Sequence, residues 1–125
     1  MKNFEVKAGA GKHEVVLYAV VTSKGIMSVL VGGEEPHLGA LVLTVPRPSL
    51  SNPGVNSCTS SVLPLIGHKD DEAARPLAEM LARETGSPVS VSAGLHIKGA
   101  GPEDIETLKQ NCIECGKKLL ELIRG

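Results

Sequence analysis

Three of the four histidines stand close to glycine in stretches with no helical spacing: Pro36-His37-Leu38-Gly39, Gly67-His68-Lys69 and Gly94-Leu95-His96. Glycine lets a ligand approach the backbone closely. Between Pro36 and His68 the only formal charge is Arg47, set between two prolines and followed by Ser49, Ser51, Ser57, Thr59, Ser60 and Ser61. A lone guanidinium among hydroxyl groups can grip one phosphate or carboxylate through a bidentate contact. His68 and Lys69 precede an expected helix whose free N–H groups favour an anion. If the histidines converge with Arg47, the result is a small polar pocket for an anionic, hydrogen-bond-rich ligand.

Other chemistries draw on the same residues. His37, His68, His96 and Cys58 could hold a divalent metal, and Cys58 with a nearby histidine could form a nucleophile pair, although neither set has diagnostic spacing. The plain structural alternatives are an arginine on a solvated loop and a helix start already served by Asp70, Asp71 and Glu72. Cys112-Ile113-Glu114-Cys115 has the spacing of redox and metal pairs, yet both sulfurs fall on the apolar stripe of the last helix, where a small buried hydrophobe is the default. No second pair completes a zinc site. Gly9-Ala10-Gly11-Lys12 lacks the first glycine and the Ser or Thr of a phosphate-binding loop, and Gly99-Ala100-Gly101 lacks the third glycine of a dinucleotide fingerprint. Both read as turns.

The elements that must position these residues follow from periodicity. Valine-rich apolar runs at residues 13–21, 26–31 and 39–45 read as strands, with residues 3–8 a further edge strand. The links between them are too short for crossover helices, so an antiparallel meander is expected. Residues 46–61, dense in proline, serine and asparagine, read as one long loop, and residues 62–66 as a return to the sheet. Acids at residues 70–72 lead into helical spacing at Ala73, Leu77, Met80 and Leu81 that stops at Gly86, with Pro76 marking a later start or a bend. Strict alternation from Val89 to Ile97 gives a half-buried strand whose small polar face carries Ser90, Ser92, Gly94 and His96. Gly101, Pro102, Glu103 and Asp104 open a second helix with its stripe at Ile105, Leu108, Cys112, Cys115, Leu119, Leu122 and Ile123. The expected class is α+β: an antiparallel β-sheet, a meander plus a later strand, covered on one face by two α-helices.

The 125 residues fit a single domain, 1–125, able to bury a core. A net charge of −1 and an aromatic content of only 2% argue against nucleic acid, which needs a basic field or stacking platforms. Glu5 and Lys7 interrupt any leader-like run near the start, and three cysteines suit a reducing compartment, so a cytoplasmic protein with no membrane partner is expected.

Four blocks resemble a known family: Gly32-Gly33 with residues 36–40, residues 46–50, residues 59–62 with 67–72, and residues 93–97. In their order and over about half the chain, they are similar to the LpdD-like prenylated-flavin chaperones associated with UbiD-type aromatic acid decarboxylases. The resemblance implies a dimeric α+β protein, similar in fold to proteasome assembly chaperones. It also implies binding of reduced prenylated FMN, or of FMN itself, for delivery to an apo-decarboxylase, with no catalysis of its own. The binding residues expected on that basis are His37, Gly39, Arg47, Ser49, Thr59, Ser60, Ser61, His68, Lys69 and His96, with the arginine and hydroxyls toward the phosphate and the histidines toward the ring. The rival expectations are a small metal-dependent or thiol enzyme built on His37, His68, His96 and Cys58, and an assembly subunit that binds no ligand.

Overall fold

The computed structural model describes residues 1–52, 54–65 and 70–125. Strands β1 (Lys2–Ala8), β2 (Val15–Thr22), β3 (Gly25–Gly33), β4 (Ala40–Pro48) and β5 (Asn56–Pro64) come first. Helix α1 (Asp71–Thr85), strand β6 (Val89–His96) and helix α2 (Pro102–Arg124) follow. The six strands form one sheet in the order β1-β2-β3-β6-β4-β5, and both helices cover the same face. Alternation along each strand sends Val15, Leu17, Leu30, Val42, Val89 and Val91 toward the helices, where they are fully buried against Leu77, Leu81, Cys112, Cys115 and Leu119.

The sheet is mixed, which corrects the expected antiparallel meander. β6 enters between β3 and β4, parallel to β3 and antiparallel to β4. Short links do force β2 and β3 into an antiparallel pair. The link from β3 to β4 instead spans two strand spacings, roughly 10 Å, leaving a slot that a later strand fills after the α1 crossover.

The expected long loop at 46–61 is also corrected. β4 runs on to Pro48 and β5 begins at Asn56, so most of the stretch is the two paired arms of a β-hairpin. Pro46 and Pro48 are tolerated because pairing with β6 ends at Thr44 and only β5 accompanies the strand beyond it. Serine and asparagine suit β5 because it is an edge strand with little apolar surface to bury.

Helix α1 passes through Pro76 and starts at Asp71. Pro76 is exposed, so the Glu72 carbonyl it leaves without an intrahelical donor faces water. Gly86 ends the helix in the left-handed region at φ 67°. Helix α2 starts at Gly101, whose N–H donates to Asp104 Oδ2 at 3.1 Å. Cys112 and Cys115 are core residues, and burial pushes their thiols up to about 12 and about 11, which keeps both protonated at neutral pH. The Gly9 to Lys12 segment is the turn into a short 3₁₀ segment.

Candidate functional site

Because β6 occupies the slot between β3 and β4, the chain joining those two strands must climb over the end of β6. Gly33, at φ 77°, turns the chain out of β3. The N–H groups of Glu34 and Glu35 then donate to the His96 carbonyl at 2.6 and 3.3 Å. The strap next crosses Gly94, where a Cβ would overlap the His37 carbonyl. It rejoins the sheet at Gly39, whose N–H donates to the Ala93 carbonyl at 2.8 Å and whose missing side chain makes room for the Asp70 carboxylate. Two glycines separated by 55 positions are thus required by one crossing.

Asp70 locks the crossing. Its side chain is only 5% exposed; Oδ1 accepts from the Leu95 N–H at 2.8 Å and Oδ2 faces His37 Nε2 at 3.1 Å. The Asp70 carbonyl meanwhile accepts from Ala73 and Ala74, so this one residue ties the start of α1 to the end of β6. His37 Nδ1 lies 3.0 Å from the Glu35 carbonyl. Both ring nitrogens therefore face acceptors, an arrangement satisfied only by the doubly protonated imidazolium. The His37 pKa is accordingly raised, first by the Glu35 carbonyl and then by the charge and hydrogen bond of Asp70, against an opposing effect of burial. His96 packs edge-on to His37 with ring centroids 6.2 Å apart, and the Glu35 carboxylate approaches its Nε2 at 4.0 Å.

Behind His96 lies a cavity of about 380 Å³ between the start of α1, the end of β6 and the first turns of α2. Its floor is apolar, from Ala73, Leu95, Ile97, Ile105 and Leu108, and Asp70, His96 and Lys109 stand at its rim. The size lies in the ordinary range of small-molecule sites, and an apolar floor with a few oriented polar groups is what such sites present.

The predicted residues fall into two groups. His37, Gly39 and His96 meet at the strap. Arg47 stands at the other end of β4, eight residues from Gly39, or roughly 25 Å along an extended strand. There its Nε donates to Thr59 Oγ1 at 2.9 Å. Ser49 lies in the hairpin loop near Ser51. Ser60 turns toward the helices, shares a 2.8 Å contact with Thr44 and donates to Glu79. Ser61 sits opposite Leu43. Within one chain, the hydroxyl cluster and the histidine pair do not share a hollow. His68 and Lys69 lie outside the described residues. Cys58 also sits at the hairpin end, 3.5 Å from Arg83 Nη1, and among the described residues no three His, Cys, Asp or Glu side chains gather as a metal site. Sequence reasoning missed Asp70 and Glu35. Asp70 looked like one of three helix-start acids, and its carboxylate is used by the sheet because the strap leaves the Leu95 N–H without a strand partner.

A family model for the prenylated flavin chaperone LpdD-like domain matches residues 9–124. The chain belongs to that family. The match runs from the turn before β2 to the end of α2 and so includes the strap, the histidine pair and the cavity. No curated protein matches the chain. Among solved structures it is similar to a chain of a chaperone complex for yeast 20S proteasome assembly, at 19% identity and a TM-score of 0.59, covering 98% of this chain and 94% of that one. That likeness concerns the fold: an α+β domain with a mixed sheet. No helix among the described residues is long and apolar enough to cross a membrane.

Proposed function

We propose that this LpdD-like protein binds reduced prenylated FMN and hands it to an apo UbiD-type aromatic acid decarboxylase, in the cytoplasm, as a homodimer and without chemistry of its own. The observation that carries this reading is a cavity with an apolar floor, lined also by His96, Lys109, Asp70 and Glu72, beside the His37–Asp70 strap, within a chain of the prenylated flavin chaperone family. An apolar floor suits a prenylated ring system, and His96 and Lys109 together with the Asp70 and Glu72 carboxylates suit a ring edge rich in both hydrogen-bond acceptors and donors.

Anaerobic titration of the purified protein with reduced prenylated FMN tests the proposal, followed by transfer to apo-decarboxylase. Saturable binding and gain of decarboxylase activity on mixing are expected. Absence of binding together with stoichiometric zinc in the purified protein would overturn it in favour of the metal enzyme.

A further inference from the structure

Apart from the strap at the end of β6, the helices leave the opposite face of the sheet open, and apolar side chains dominate it. Tyr18, Met27, Val29, Leu41, Leu43, Val45 and Leu63 all lie on it, each more than 40% exposed. Strands β3, β4, β5 and β6 contribute one formal charge to this face, Arg47, and the others, Glu5 and Lys7, sit on the edge strand β1. Six strands of about eight residues present roughly 750 Å², close to the ~800 Å² per partner of a stable protein interface. Seven large apolar side chains exposed together on one sheet face are unusual for a monomer.

The register gives this patch a centre. Tyr18, Val29 and Ser92 lie level with Leu41, and Met27 and Ser90 lie level with Leu43. Leu63 also pairs with Leu41. Projected onto β4, the exposed apolar residues centre between Leu41 and Leu43. A two-fold axis lying in the interface and crossing the strands at that point stacks two sheets face to face, an aligned sandwich with helices outside. It sets Leu41 over the partner copy's Leu43. The same operation carries position 47 of one copy to the level of position 37 in the other.

The geometry points to a composite site: the open sheet face is the seam between two copies, and Arg47 of each copy completes the histidine site of the other. This deepens the proposed function, on which the identity of the ligand rests. Arg47 emerges from the same face as Leu41, Leu43 and Val45, and its exposed guanidinium, resting on Thr59 Oγ1 and the Pro48 carbonyl, stands at the end of the seam. A phosphate held there would lie between the partner copy's Arg47 and the His37–His96 pair, with the ring system toward the cavity. Each dimer carries two such sites. The roughly 25 Å that separates the two groups in one chain is then the spacing that lets the symmetry bring them together.

The test is complementation. His96→Ala and Arg47→Ala should each weaken binding of reduced prenylated FMN at least tenfold. After dissociation and reassociation of an equimolar mixture, half the dimers are mixed and each has one intact site, so about a quarter of all sites should regain wild-type affinity. If the mixture binds no better than its parents, or Arg47→Ala binds normally, the composite site is wrong, while unimpaired wild-type binding leaves the flavin reading standing. A ligand-free arm tests the seam alone. In a Cys58→Ser background, Glu35→Cys and Arg47→Cys proteins should be joined by a short bismaleimide only when mixed, and Leu43→Lys should convert the dimer to monomer in light scattering. Crosslinking of either variant by itself, or a wild-type monomer, overturns the seam whatever the flavin result.

Discussion

Replacing Gly94 with alanine tests the crossing that builds the site. The added Cβ would overlap the His37 carbonyl, and the neighbour is backbone, which cannot swing aside as a flexible side-chain tip can. The strap must lift. Its ties are the Gly39 N–H bond to Ala93, the two bonds onto the His96 carbonyl, and the contact of the His37 ring with the Asp70 carboxylate. Overpacking in a closed position costs about 1–3 kcal/mol. For 125 residues, each kcal/mol shifts Tm by roughly 4 °C, so a fall of about 4–12 °C is expected in thermal unfolding followed by circular dichroism. Flavin binding should weaken in parallel because His37 loses its position. Ser92→Ala, on the same face of the same strand, is the control and should stay within about 0.5 kcal/mol of wild type. A Gly94→Ala protein as stable as that control would refute the strap geometry.

Other outcomes follow from the same structure. The raised His37 pKa means that its stabilising contribution is complete below about 6.5, the pKa of the unfolded chain, and is lost as pH rises through the higher folded value. The stability gap between wild type and His37→Asn should therefore be larger at acidic than at alkaline pH in denaturant titrations, and a pH-independent gap would count against the charged ring. Thiol titration of the native protein should find Cys58 reactive and Cys112 and Cys115 silent until unfolding, since both helix thiols are held far up by burial; three fast thiols would contradict that packing. Leu81→Ala should cost about 2–5 kcal/mol, read from the shift in denaturant midpoint, because Leu81 is fully buried between helix and sheet.

Local pattern was legible wherever one face of one element meets one core. The alternation from Val89 onward, the middle of the α2 stripe from Leu108 to Leu119, and the acids and glycine that bound α1 appear in the structure at their expected places, because burial on one side imposes a period of two or 3.6 that the residues must show; Ile105 and Leu122, toward the two ends of the stripe, are about half exposed. Residues 46–61 failed the same reasoning because an edge strand buries little and tolerates proline, so it carries no hydrophobic period.

The residue types at the site were decided by the sequence: histidines next to glycines, a solitary arginine among hydroxyls, and cysteines confined to an apolar stripe. Only the tertiary structure decided which of them meet. Strand order arises from long-range pairing, and the insertion of β6 between β3 and β4 is what sends the chain over Gly94, sets His37 against Asp70, and leaves Arg47 at the far end of β4. Periodicity reports which side of an element is buried. It holds no information on which element lies next to it, and at this site that adjacency determines the chemistry.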